Sequence, residues 1–410
     1  MLDPWLSGES GIGYSRRAIL AIAFINGLSW GLTLTIVSPF LNELGYSGTE
    51  YGLLGAVSVV TSSLATLGAG LLSDIMGSRK VMLAGFLANA VSKFMIATGT
   101  FLGVTGGFTV WGLSNGLSWT AFRVLVSRSE ADERLHYIFS YTMAANLLGS
   151  ALGSFAGWIP VALSLATGAG LVELYALTLA GLGALLLVAP PFLLSMVEER
   201  LQPSRAGGRR ISLRGLPGRF YWLVFFESLI GFGAAMSIHN IGYYFILKYG
   251  VNSGELGTVT GLESLVQALI TTRMPLLADR LGGPLRVYIG VTMTSVPLLV
   301  LMTLVDSYVL AASIFLVRTI LMNVANPLMD AFTLSLIPRE KRGMATAFLS
   351  LSWTIPASGG RALGGRLLDI DVELPLRLTA LIYFSSLTGI SLAFRDKLAP
   401  GNTSHTGKKG

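Results

Sequence analysis

The sequence predicts an all-α membrane protein: twelve transmembrane helices in two pseudo-symmetric six-helix bundles. Three observations carry that prediction. Only 12% of the 410 residues are Asp, Glu, Lys or Arg, and 52% are hydrophobic, whereas a soluble domain carries about 25% charged residues. The apolar residues lie in long uncharged blocks. A set of loop residues recurs halfway along the chain. With a mean hydropathy of +0.66, too few charges remain to cover a globular surface, and the same composition excludes disorder.

A bilayer core of about 30 Å needs roughly 20 apolar helical residues. No charge occurs from Ala18 to Asn42, Tyr51 to Ser73, Tyr137 to Val172, Val287 to Val305 or Leu378 to Phe394. The block from Tyr137 is long enough for a helix plus an external turn. Cutting at Gly, Pro and charge clusters places spans at 18–42, 51–72, 81–103, 107–127, 137–162, 171–196, 220–247, 256–277, 287–304, 308–336, 345–368 and 376–394. These are helices, because backbone polar groups in lipid must be satisfied within each segment. The period-two alternation of a membrane barrel is missing.

Cations set the orientation. Arg16, Arg17, Arg79, Lys80, Arg128 and Arg134 lie before span 1 and after spans 2 and 4. Arg200, Arg205, Arg209, Arg210, Arg214 and Arg219 fill the connection after span 6. Arg280, Arg286, Arg339, Lys341, Arg342, Arg395 and Lys397 follow the later even spans. The opposite loops hold Lys248, Arg366 and Arg377. The Arg-rich side is therefore expected to be cytoplasmic, in the cell membrane, with both termini inside. The expected organisation is a cytoplasmic segment 1–17, a bundle 18–196, a basic linker 197–219, a bundle 220–396 and a cytoplasmic tail 397–410. Span 1 reads as an uncleaved signal anchor, too long for a signal-peptide core. Topology accounts for the net charge of +7, so no nucleic-acid partner is expected.

Cysteine is absent, and the three histidines, His136, His239 and His405, are scattered. No thiolate chemistry, metal site or cofactor is expected. No phosphate-cradling G-x-x-x-x-G-K-[ST] loop occurs. Gly112-Leu113-Ser114-Asn115-Gly116 matches the nucleophile-elbow pattern, but that motif needs a strand–turn–helix and here falls inside an apolar helix. The chain is not expected to be an enzyme.

The stretch Gly45-Tyr46-Ser47-Gly48-Thr49-Glu50-Tyr51-Gly52 returns 205 positions later as Gly250-Val251-Asn252-Ser253-Gly254-Glu255-Leu256-Gly257. The same offset carries Asp74 and Gly77 to Asp279 and Gly282. Two six-helix units in one orientation form a parallel repeat, a transporter architecture with its substrate site near the midplane between the halves.

The repeated loop also carries a family likeness. Gly70-Leu71-Leu72-Ser73-Asp74-Ile75-Met76-Gly77-Ser78-Arg79-Lys80 resembles the G-x-L-a-D-r-x-G-r-k signature of the major facilitator superfamily. Gly70, Leu72, Asp74, Gly77 and Arg79 match, while Ile75 and Ser78 replace two cations. Asp279, Arg280 and Gly282 keep its core in the second half. The resemblance implies alternating access by two rocking bundles, and a role for Asp74 in latching the cytoplasmic gate when the outer side is open. Glycine supplies the positive φ such a tight loop needs, and a carboxylate suits a neighbouring helix N-terminus. A simple helix cap is the alternative role for Asp74. In span 5, Gly149, Gly153 and Gly157 resemble the family antiporter motif, with Ser154 and Trp158 in place of its proline and last glycine. Glycines four apart also serve close helix packing. Gly359, Gly360, Gly364 and Gly365 in span 11 read the same way.

Ionisable residues inside spans are costly and usually face a cavity or a partner. Arg123, Arg273 and Asp330 lie near inner ends, where snorkelling or loop bracing suffices. The resemblance makes helix 3 peripheral, so Lys93 is expected to snorkel or join a structural pair. It also makes helices 7, 8, 10 and 11 line the cavity, which singles out His239, Glu263, Arg318 and Arg361, with Glu227 and Asp330 as further proton or substrate candidates. Glu263 lies about 12 Å below the outer surface and Arg318 about 18 Å. A carboxylate beside a guanidinium in low dielectric has a proton affinity set by whether the pair is intact. A substrate competing for Arg318 or Arg361 would free Glu263 to take a proton. A permanent structural salt bridge is the equal alternative. Candidate cavity-lining residues are Asn26, Trp30, Asn115, Asn146, Asn240, Gln267, Asn323 and Trp353, in apolar walls that suit a small amphiphilic solute.

The function expected is secondary transport, export of an amphiphile coupled to protons, by a monomer embedded in the lipid bilayer. Uptake or exchange of an organic anion clamped by Arg318 and Arg361 is a second reading. A transporter-like receptor, channel or lipid-handling protein is the third.

Overall fold

The computed structural model describes residues 13–129, 135–195, 197, 217–270, 283–337 and 342–398, and no strand occurs among them. Helices α1 (Gly13–Glu43), α2 (Gly48–Met76), α3 (Ser78–Ala97) and α4 (Phe101–Ser129) are followed by α5 (Leu135–Phe155) and α6 (Trp158–Thr167), which together make the fifth span. Helix α7 (Leu171–Ser195) is the sixth. The seventh is α8 (Gly218–Ser237) and α9 (Ile241–Tyr249), joined by a 3-10 turn at Ile238–Asn240. Then come α10 (Ser253–Ile270), α11 (Pro284–Thr303), α12 (Tyr308–Ser335), α13 (Arg342–Ile370), α14 (Leu374–Ala393) and a short α15 (Arg395–Leu398). Among the described residues, nine of these stretches are long and apolar enough to cross a membrane. The less apolar three are α4, α10 and α13. Of these, α10 carries Glu255 and Glu263, and α13 carries Arg361, Arg366 and Asp369.

The chain alternates between two ends. One, here the linker end, holds the α2–α3 junction and the start of α8. The other, the far end, holds the turns after α1, α3, α6, α9, α11 and α13. The turn after α3 corrects the expected spans 81–103 and 107–127. Gly99, at φ +66°, ends α3 after Ala97, so residues 101–106 open α4 instead. The helix-long seventh span is likewise interrupted at His239. The last residues of the expected span 256–277 lie outside the described residues.

Local chemistry places the ends. Ser47 and Glu50 form a reciprocal capping box that starts α2, satisfying donors a helix N-terminus leaves free. Gly77, at φ +92°, turns the chain directly from α2 into α3, a conformation that costs glycine little.

The two halves repeat their packing. In the first, α1 packs on α5, α2 on α4, and α3 on α4 and α7. In the second, α8 packs on α13, α10 on α12, and α11 on α12 and α14. The α1–α5 pair is a backbone contact. A Cβ on Gly149 or Gly153 would collide with the carbonyls of Phe24 and Leu28, and one on Gly27 or Gly31 with those of Asn146 and Ser150. The α8–α13 pair repeats the device, with Gly360 and Gly364 against the carbonyls of Phe232 and Met236. Close packing thus accounts for the span 5 glycines.

These contacts generate a stability prediction. Gly149→Ala is expected to destabilise the protein by about 1–3 kcal/mol through overpacking. Gly181→Ala, on α7 with open space around its Cα, is expected to be neutral. Thermal unfolding of the two purified variants in detergent checks the difference.

Candidate functional site

The ionisable groups of the second half fall into one connected neighbourhood. Arg318 on α12 is 2% exposed. Its Nη2 donates to the Tyr383 hydroxyl of α14 at 3.2 Å, and the guanidinium lies 5.5 Å from that ring centroid. Glu263 on α10 is in electrostatic range of Arg318, but the two form no direct ion pair. Asn323, one turn and a half from Arg318 on α12, reaches towards the Glu263 carboxylate, Nδ2 to Oε1 at 3.5 Å. A permanent salt bridge is therefore not what holds α10 to α12 in this conformation. The Glu263 carboxylate and the Arg318 guanidinium are near enough to influence each other without forming an ion pair.

Below them, the Tyr288 hydroxyl of α11 donates to Glu227 Oε1 on α8 at 3.1 Å. Tyr288 and Tyr383 are themselves electrostatic neighbours, as are Glu227 and Asp330. Asp330 is exposed near the linker end of α12 and senses Arg123 of the other half. Arg123 lies against its own neighbour Trp119, 5.7 Å from the ring. Tyr288 and Tyr383 had no distinguishing mark as phenols in apolar spans 9 and 12. The available signal was chemical: a buried tyrosine hydroxyl needs a polar partner, and the spans facing them hold few.

At the far end, Arg361 on α13 reaches across to the first half. Its guanidinium lies 5.9 Å from the Tyr51 ring of α2, and a Cβ on Gly55 would strike its Nε. That Nε is buried without a hydrogen-bond partner, as is the Nε of Arg318. His239, at the break between α8 and α9, is solvent-accessible and feels both guanidiniums. The interrupted seventh span thus brings an imidazole into the field of two arginines.

The remaining candidates separate into groups. Asn240 is buried and donates to the carbonyls of Met236 and Arg361, at 3.3 and 3.1 Å. Asn146 donates to the Ala23 carbonyl at 3.1 Å. Each amide bridges helices. Trp353 packs its indole against Gly231 of α8. Asn115 and Gln267 are half-buried on α4 and α10. Asn26 borders a water-sized cavity with Ile22, Phe86 and Ser118. Trp30 is 45% exposed and tilts against Trp111 of α4 at 5.9 Å.

Lys93 does not snorkel, and its partner is an aromatic ring. It is 0% exposed, its Nζ has no hydrogen-bond partner, and it rests 4.6 Å from the Trp111 ring centroid. A length of side chain that begins at mid-span on α3 and is enclosed by α4 cannot reach the interface.

In the loop signature, Gly77 forms the α2–α3 junction, and Arg79 Nη1 donates to the Val197 carbonyl at 3.4 Å. Asp74 is exposed one turn before the junction. Gly70 meets nothing that would exclude a side chain. Asp279, Arg280 and Gly282 lie outside the described residues.

Membrane-length helices, duplicated packing and titratable groups enclosed in the second half define the class: a polytopic membrane protein built as a transporter. The family model for the Major Facilitator Superfamily matches residues 19–394, and the chain belongs to that superfamily. It is 23% identical over 390 residues to Multidrug resistance protein 1 of Bacillus subtilis (strain 168), covering 92% of this chain and 95% of that protein. It is 26% identical over 137 residues to Quinolone resistance protein NorA of Staphylococcus aureus, covering 32% of this chain and 35% of that one. The fold superposes on a point mutant of the nucleoside transporter NupG with a TM-score of 0.77 at 12% identity, covering 92% of this chain and 99% of that structure.

The geometry of Lys93 makes a prediction. A cation–π contact is worth about 2 kcal/mol when desolvated, less than the several kcal/mol it costs to hold an ion out of water. Lys93→Met is therefore expected to leave thermal stability unchanged or raise it by about 1–4 kcal/mol. A lowered unfolding temperature would instead make the ammonium a structural strut.

Proposed function

We propose that this transporter exports amphiphilic organic compounds in exchange for protons. The observation that carries the reading is the separated pair Glu263–Arg318, backed by Tyr383, Tyr288 and Glu227, inside an otherwise apolar bundle. Intramembrane ionisable groups persist where they handle ions or substrate. The relatives' names, a multidrug and a quinolone resistance protein, agree with export of drug-like solutes.

In this reading the substrate enters between the halves, where Trp30 and Trp353 offer aromatic walls and Asn323 and His239 polar contacts. It perturbs Arg318, and Glu263 exchanges its proton as the bundles rock. Glu227 and Asp330 carry protons towards the linker end. We assign the bundles to 18–196 and 220–396, place the linker end in the cytoplasm of a cell-membrane protein with both termini inside, and take the monomer as the working unit. Asp74 holds the linker end closed in the alternate state.

Proteoliposome flux tests the coupling. An imposed pH gradient is expected to drive uptake of a fluorescent lipophilic cation by wild type. Glu263→Gln is expected to abolish the response to the gradient while leaving the protein folded. Full pH dependence in that variant would reduce Glu263 to a structural role. Asp74→Asn is expected to slow flux without lowering thermal stability, and wild-type rates would remove its latching role.

A second reading rests on the two buried Nε groups. Arg318 and Arg361, with His239 between them, could clamp an organic anion. Competition settles it: inhibition of flux by anionic but not cationic amphiphiles favours the clamp.

A further inference from the structure

The far end of the cleft is shut by contacts from both halves. On one flank, the Ser253 hydroxyl of α10 donates to the Gly157 carbonyl at 2.7 Å. Trp158 Nε1 of α6 donates to the Thr258 hydroxyl at 2.9 Å, and the hydroxyls of Ser150 and Ser264 meet at 3.2 Å. On the other flank, α13 lies on α2 with almost nothing between the backbones. A Cβ on Gly52 or Gly365 would overlap the opposite main chain.

The donors at the start of α2 identify what fastens this flank. A helix leaves its first N–H groups without partners. Here Ser47 Oγ accepts from the Glu50 N–H at 3.2 Å, and the Ser47 carbonyl accepts from Tyr51. The two N–H groups between them, on Gly48 and Thr49, are taken by a residue from the other half. Asp369 accepts the first through Oδ1 at 2.7 Å and the second through Oδ2 at 2.8 Å, and the Thr49 hydroxyl also donates to Oδ2. The approach needs glycine, since a Cβ on Gly48 would come within 2.7 Å of Asp369 Oδ1. Every bond of this carboxylate to α2 crosses between the halves and is lost when they part.

We propose that Asp369 is the positioning residue that holds the far end of the cleft closed, a carboxylate from α13 completing the N-terminal cap of α2. A charged acceptor on backbone N–H groups is among the stronger hydrogen-bonded arrangements, and the helix dipole favours negative charge at that position. With the far end open, water must solvate both the carboxylate and the two N–H groups. The cap therefore biases the conformational equilibrium without touching substrate. In the transport cycle proposed above, it would be the far-end counterpart of Asp74. That meaning depends on the transporter reading, but the closure itself does not.

The chain contains no cysteine, so one introduced cysteine reports alone. Thr35 on α1 is buried, bonds only to its own helix, and faces Gly257 of the opposite half on the flank away from Asp369. In the Thr35→Cys background, alkylation by a membrane-impermeant maleimide measures opening of the far end and needs no substrate. Adding Asp369→Asn is expected to raise the alkylation rate about tenfold, and Thr49→Val, which removes one of three donors, about threefold. Ser47→Ala removes the helix's own cap but no contact between halves, and is expected to leave the rate unchanged. A wild-type rate in both Asp369→Asn and Thr49→Val overturns the proposal. So does a rise in Ser47→Ala equal to that in Asp369→Asn, since it would show general loosening of α2. Failure of proton-driven flux with the labelling pattern intact would strike the transport reading alone.

Discussion

Backbone approach between helices is the constraint on which this structure depends. In lipid, helices gain nothing from burying apolar side chains against one another, so association rests on packing and on polar contacts. Glycines on α1 and α5 and on α8 and α13 let main chains touch, which makes each half a stiff body. The same device recurs between the halves towards the far end, where α2 meets α13 and where Gly257 of α10 meets the Ser154 carbonyl of α5. Stiff halves joined over two limited flanks can rock, whereas halves joined along their full length could not.

The two halves are alike in packing and unlike in chemistry. Among the described residues, the first half buries two cations, Lys93 against Trp111 and Arg16 near the start of α1. The second brings acids, arginines, an imidazole and phenols from six helices into one neighbourhood. This asymmetry gives the second half a means of responding to protons and leaves the first to supply aromatic surface. It also bears on Arg318. Its hydrogen bond to Tyr383 satisfies part of the guanidinium, so the Glu263 carboxylate can change state without leaving a wholly unpaired buried charge.

Much of this was legible in the sequence, for physical reasons. Span positions follow from composition, because lipid admits few charges. The duplication followed from Gly45, Glu50, Gly52, Asp74 and Gly77 and their counterparts, which lie at or beside turns where few residue types work. The candidate charges were found because a charge in an apolar run is conspicuous. What escaped was whatever depends on tertiary neighbours. Tyr288 and Tyr383 look like packing until Glu227 and Arg318 are seen beside them. Lys93 was expected to snorkel or to join a structural pair, and its depth alone could not show its enclosure by α4 or the Trp111 ring beside it. That Asn146 and Asn240 bridge helices could not be read either, because an amide bridging two helices and an amide facing a substrate are the same letter. Nothing in the sequence marks Asp369, since its partners at Gly48 and Thr49 lie 321 and 320 residues away.

The placement of Asp369 shows how a small interaction can govern a large motion. Surface carboxylates contribute little to stability, and the loss of this one need not unfold anything, because α2 keeps the cap of its own Ser47. Yet the halves differ in free energy between open and closed arrangements by amounts that a few hydrogen bonds can shift, and each 1.4 kcal/mol moves the ratio tenfold. A contact made only when the far end is shut acts wholly on that ratio. The glycine pairs within each half are present in both arrangements and so cannot act on it. Stability and gating are thereby assigned to different residues, which allows the gate to be weak enough to open while the bundles that move remain firm.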